Sequence, residues 1–248
     1  MDFVTMSVSK SLAIIRARMA EAALRSGRSP SDVTLVAVSK TFEASSVLEA
    51  IDAGQIDFGE NRIEEALSKI AAVAVQRPSP VRWHLIGHVQ SRKAKDGAGR
   101  FALIHSVDSL KLASKLNAAI QTSGQTQDIL LECNVSGEAS KDGFPLANWG
   151  ADRDALERFE REVEGIIALP HIRVRGLMTI GPIVNTPEDT RPTFASLRAL
   201  RDVLRARFPQ TAWDDLSMGM TDDFEIAIAE GATMIRIGRA IFGSRIPV

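Results

Sequence analysis

Leu35-Val36-Ala37-Val38-Ser39-Lys40-Thr41 is a short β-branched and apolar run that stops on a lysine. Valine keeps its preferred side-chain rotamer more easily in a pleated strand than in a helix, so the run reads as a buried strand. Alternation puts Val36, Val38 and Lys40 on one face and Leu35, Ala37 and Ser39 on the other. A lysine at the carboxyl end of such a strand is either a solvated exit residue, the commoner case, or an amine held at the mouth of a pocket. The stretch alone leaves both open.

Around it the chain repeats one unit, strand then helix. Upstream, Val8, Leu12, Ile15, Met19 and Ala22 recur at helical spacing, and Gly27 with Pro30 supplies the stop. Downstream, Ser46 to Glu49 reads as a capping box that opens a helix ended by Gly54. Further strands are expected at 56–61, 83–89, 102–107, 128–135, 172–180, 215–220 and 234–238, each with polar residues near its carboxyl end. Helical stripes lie between them, for example Leu156, Phe159, Val163 and Ile166, then Leu197, Leu200, Leu204 and Phe208. The basic run Gln90 to Lys95 is too short to declare a helix and reads as a solvated edge.

Eight strands alternating with helices imply a parallel sheet, and in 248 residues they imply closure into a single (β/α)8 TIM-type barrel with an extra N-terminal helix. One domain, 1–248, is therefore expected. An open doubly wound sheet is disfavoured because no Gly-x-Gly-x-x-Gly turn follows the first strand.

Composition narrows the function classes. Lys plus Arg number 30 against 31 acids, which gives no overall field for nucleic acid or an anionic membrane. No apolar run approaches the roughly 18 residues of a membrane span, and Met1 to Val4 do not resemble a secretory leader. The single cysteine, Cys133, cannot form an internal disulfide, which fits a reducing, cytoplasmic setting. Tyrosine is absent, which removes a whole class of general acid–base mechanisms.

In a barrel of this kind the site lies at the carboxyl ends of the strands. Lys40, Asn61, His84, Met178, Ser217 and Arg236 all fall at or near those ends. The segments after the seventh and eighth strands, Leu216 to Thr221 and Arg236 to Ala240, combine glycine with hydroxyl side chains, which suits a phosphate. A lysine amine together with a phosphate cradle points to an aldehyde cofactor bearing a phosphate, and pyridoxal 5'-phosphate meets both requirements. Ser217 and Thr221 have a plainer reading as strand terminator and helix cap, with Asp222 to Glu225 as the capping pattern. Asp222 and Asp223 would moreover repel a phosphate. Arg236 is harder to dismiss, because alternation turns this always-charged group inward, where it is costly unless paired. His84, His88 and His105 match no metal-ligand spacing and read as core or surface histidines.

The segments Ala37-Val38-Ser39-Lys40, Phe58-Gly59-Glu60-Asn61, Trp83-His84-Leu85-Ile86-Gly87, Arg175-Gly176-Leu177-Met178, Leu216-Ser217-Met218-Gly219-Met220 and Arg236-Ile237-Gly238 with Ile241-Phe242-Gly243 together resemble the pyridoxal phosphate homeostasis protein family. That family is similar to the barrel domain of alanine racemase without its second domain. The resemblance implies a cofactor carried as a Schiff base on Lys40, with Arg236 at the pyridine nitrogen. It implies that Ser217, Thr221 and the backbone of Gly238 and Arg239 hold the phosphate, and that Asn61, His84 and Met178 lie beside the cofactor. Members often have threonine at the place of Arg239 and asparagine at that of Arg92.

An arginine opposite the ring nitrogen keeps that nitrogen unprotonated and weakens the ring as an electron sink. Racemases with this feature add a tyrosine base from a second domain, and this chain has no tyrosine. A carrier of pyridoxal phosphate without efficient turnover is thus expected, monomeric, serving cofactor-dependent apo-enzymes. A slow amino-acid racemase is the alternative, and an apo scaffold for a protein partner is a third reading.

Overall fold

The computed structural model describes residues 6–78 and 80–243. Met1 to Val4, read above for a leader, lie outside them. Eight strands form the barrel: β1 (Thr34–Val38), β2 (Asp57–Glu60), β3 (Arg82–Leu85), β4 (Leu103–Val107), β5 (Gln127–Asn134), β6 (Ile172–Met178), β7 (Asp215–Ser217) and β8 (Met234–Ile237). Their order around the sheet is β4-β3-β2-β1-β8-β7-β6-β5, every neighbouring pair is parallel, and β4 pairs with β5 to close it. The TIM-type barrel expected from the alternation is the observed fold.

Closure removes both sheet edges and makes the last strand a neighbour of the first, with Val36 opposite Arg236 and Ala37 opposite Ile237. Strands buried on two faces need no polar alternation, and β1 is buried along nearly its whole length. Leu35 and Ala37 join the large layer between strands and helices. Inside the barrel, Leu103, Leu130 and Met178 form a small second core, with Ile180 and Met234 against it.

Nine helices are described: α1 (Val8–Arg25), α2 (Ala44–Asp52), α3 (Ile63–Gln76), α4 (Ala94–Gly97), α5 (Leu110–Ile120), α6 (Arg153–Ile167), α7 (Arg191–Arg207), α8 (Phe224–Ala229) and α9 (Arg239–Phe242). The extra helix α1 packs against α2, α8 and α9, on the outside of the first and last units.

Several local expectations change. The capping box at Ser46 is not formed. Helix α2 starts at Ala44, two residues earlier, and the Glu49 carboxylate instead accepts the amide of Val8 at 2.9 Å, tying α1 to α2. Strands β3, β6 and β7 end earlier than their apolar runs suggest, because the following residues bend into loops at the barrel mouth. The basic run becomes a 3-10 turn, Ser91–Lys93, leading into α4. The loop after β5 contains a two-residue strand, Phe144–Pro145, paired parallel with Cys133 and Asn134.

Candidate cofactor site

Five consecutive strand ends converge at one rim. Asn61 follows β2, Lys40 follows β1, Gly238 and Arg239 follow β8, Met218 to Thr221 follow β7, and Thr179 follows β6. Lys40 and Gly238 therefore lie at the same ends of two paired strands.

The turn that carries Lys40 is pinned from outside the barrel. The Ser39 hydroxyl donates to Glu60 Oε1 at 2.6 Å, and Lys69 Nζ on α3 donates to the same oxygen at 2.6 Å and to the Ser39 carbonyl at 2.8 Å. The Thr41 amide donates to Glu65. Thr41 has φ 68, a conformation that costs a β-branched residue energy and persists only where surroundings impose it. Lys40 itself is half-buried. The Glu60, Lys69 and Glu65 set was not singled out from sequence. Its signal was an acid ending a fully buried strand.

Arg236 is buried inside the barrel, with Nη1 donating to Ser217 Oγ at 2.7 Å and Nη2 to the Thr179 carbonyl at 2.9 Å. Burial lowers its pKa to about 10, while Glu132 and Asp223 pull it back up, so it stays a cation at neutral pH. Glu132 faces the same interior from β5, buried, and its Oε2 has no hydrogen-bond partner among the described residues. Burial raises the Glu132 pKa to about 7, helped by Asp142 and opposed by Arg236. An acid set in the apolar run Ile129 to Cys133 was the signal that sequence reasoning passed over.

The remaining expected site residues separate into two groups. Thr221, half-buried, stands in the turn after β7, and Arg239 stands exposed after β8. Asp222 does not cap α8; the residue at the cap position is Asp223, whose Oδ1 accepts the Met220 amide at 2.6 Å. Gly219 (φ 94) shapes this turn, where a Cβ would come within 2.6 Å of Ala227. Ser217, His84 and Met178 lie deeper. The Ser217 hydroxyl is engaged by Arg236 and by His105 Nδ1 at 2.8 Å, so it braces the arginine from below. His84 bonds to His105 and Asp57, at the amino-terminal side of the barrel, and Met178 belongs to the inner apolar layer.

The class is thus a parallel eight-stranded (β/α)8 barrel with a lysine, a buried arginine and a glycine–hydroxyl turn toward the carboxyl ends of its strands. The model of the alanine racemase N-terminal domain matches residues 11–246. Relatives named pyridoxal phosphate homeostasis protein are 42% identical in Pseudomonas aeruginosa, covering 96% of each chain, and 39% identical in Escherichia coli K12, covering 96% of this chain and 97% of that one. The chain belongs to the pyridoxal phosphate homeostasis protein family. Among solved structures, PipY of Synechococcus elongatus PCC7942 with PLP bound superposes with a TM-score of 0.75 at 37% identity, covering 92% of this chain and all of that one. An alanine racemase from Clostridium difficile shares the fold alone, at 15% identity and a TM-score of 0.67.

Proposed function

We propose that the protein binds pyridoxal 5'-phosphate in intracellular homeostasis of that cofactor, holding it covalently on Lys40 without efficient turnover. The observation that carries this reading is the meeting of Lys40, Arg236 and the Gly238–Arg239 and Thr221 rim at the ends of consecutive paired strands. The residues suit the group. Arg236 uses two of its five donors on Ser217 and Thr179, and the buried Glu132 Oε2 has no donor among the described residues.

When bound, pyridoxal phosphate supplies an aldehyde that captures primary amines and a ring that withdraws electrons. The Lys40 amine is the attachment point, and the strained turn at Thr41 fixes where it is presented. Arg236 donates toward the ring nitrogen and, as a permanent cation, discourages its protonation. Thr221 and the amides of Gly238 and Arg239 hold the phosphate; Ser217 acts one step back, by orienting Arg236. Asn61 borders the ring. The relatives' shared name and the PLP-bound relative support the same reading. The domain, one cofactor-binding barrel over 1–248, acts as a monomer, with cofactor-dependent apo-enzymes as recipients.

The test is a visible spectrum of the purified protein followed by borohydride reduction and peptide mapping. Colour with the adduct on Lys40 supports the reading, and an adduct on another lysine overturns it. Glu132, an acid that titrates near neutrality beside Arg236, gives a low-activity amino-acid racemase some footing as a second reading. Deuterium wash-in at the α-carbon of free amino acids at a useful rate would favour that enzyme.

A further inference from the structure

A single file of buried polar groups runs through the barrel from Arg236 to the opposite rim. Arg236 Nη1 lies 2.7 Å from Ser217 Oγ, Ser217 Oγ 2.8 Å from His105 Nδ1, His105 Nε2 2.9 Å from His84 Nδ1, and His84 Nε2 2.9 Å from Asp57 Oδ1. All five side chains are buried. We propose that Asp57 is a positioning residue for Arg236, acting through this chain, whose hydrogen bonds all point one way.

The direction follows from the two ends. A guanidinium can only donate and a carboxylate can only accept, while a hydroxyl and a neutral imidazole each give one hydrogen bond and take one along such a file. Arg236 therefore donates to Ser217, the Ser217 hydroxyl to His105 Nδ1, His105 Nε2–H to His84 Nδ1, and His84 Nε2–H to Asp57. Both rings carry their proton on Nε2, and every link is satisfied with no extra charge. Reversal would need a second proton on His84. It would also leave the Ser217 hydroxyl taking two donors, with its own hydrogen seeking a new acceptor in a buried place.

The charges facing the file agree with this polarity. Burial, with the Arg236 guanidinium nearby, holds the His105 pKa well below the ordinary imidazole value. Burial alone would push Asp57 up, but hydrogen bonds from His84 and Arg82 outweigh it and hold Asp57 below the usual carboxylate range. Arg82 grips both Asp57 oxygens, at 2.7 and 2.6 Å. A cavity of about 320 Å3 opens there, lined also by Asp128, Arg175 and Asp215. At the other end Arg236 faces Glu132 and Asp223. Removing the Asp57 acceptor frees His84 and His105 to change tautomer and releases the fixed orientation of Ser217 and Arg236. A change at one rim is thus read at the other; its effect on cofactor affinity rests on the pyridoxal phosphate reading.

The test is ring 15N spectroscopy of the full chain without cofactor. For the wild type, His84 and His105 are expected as neutral Nε2–H tautomers at neutral pH, and an Nδ1–H or doubly protonated ring at either position overturns the chain. In Asp57→Ala, intermediate ring shifts and merging of the resolved Arg236 Nη signals are expected; signals identical to wild type overturn the positioning role. Added pyridoxal phosphate should bind this variant about 5–10-fold more weakly, the loss of roughly one hydrogen bond's worth of orientation. Should the wild type take up no cofactor, the cofactor reading falls while the ring tautomers still decide the chain.

Discussion

Arg239 Nη2 lies 2.6 Å from both carboxylate oxygens of Asp222, joining the turn after β7 to the residue that follows β8. This pair answers the objection that Asp222 would repel a phosphate: its charge is matched by the Arg239 guanidinium. Both side chains are exposed, at 61% and 74%, so the pair adds no more than about 1 kcal/mol to stability. Arg239→Ala is expected to leave the melting temperature nearly unchanged while weakening pyridoxal phosphate binding several-fold. Arg239→Ala with Asp222→Asn should restore the affinity, and titration of cofactor absorbance measures both.

Lys40→Ala is expected to give a folded, colourless protein. Circular dichroism checks the fold, and borohydride treatment with peptide mapping should find no adduct.

The Glu60–Lys69 pair is almost fully buried, with an Nζ–Oε1 distance of 2.6 Å. Removing one partner strands the other charge. Lys69→Met is expected to cost about 3–5 kcal/mol. The double change Lys69→Met with Glu60→Leu should cost less than Lys69→Met alone, as read by urea unfolding.

Glu132 provides a pH signature. Its folded pKa, about 7, is above the ordinary carboxylate value, so between pH 4.5 and 7 the native state binds more protons than the unfolded state. Stability from this group is present below the lower limit and is lost as pH rises through the folded value. Glu132→Gln is expected to gain about 1–3 kcal/mol at pH 8 and little at pH 5, by unfolding at the two values.

On the proposed reading, Thr221→Val removes one hydroxyl donor to the cofactor phosphate. Cofactor affinity should fall about tenfold or more, whereas stability of the protein without cofactor should change little.

The fold was legible because β-branched runs and helical stripes report which surfaces are buried, and eight alternating units in this length allow closure. The placement of Lys40 and of the Arg236-Ile237-Gly238 segment toward the carboxyl ends of their strands was legible because it follows from the alternation of elements. Three things were not. Strand ends were overextended, since apolar residues continue into buried loops at the mouth. Ser217 and His84 seemed rim residues by sequence position, yet their hydrogen bonds run inward. The role of Glu132 and the bracing of Lys40 by Lys69 depend on contacts between strands and helices far apart in the chain.

By itself, the sequence determined the alternating elements, the inward parity of Arg236 and the lysine just beyond the first strand, because side-chain periodicity is a local property. Only the tertiary structure decided that the eighth strand lies beside the first, that Arg239 neutralises Asp222, and that one file of hydrogen bonds joins Arg236 to Asp57. Those facts depend on closure and register, which bring together residues that no spacing along the chain can relate.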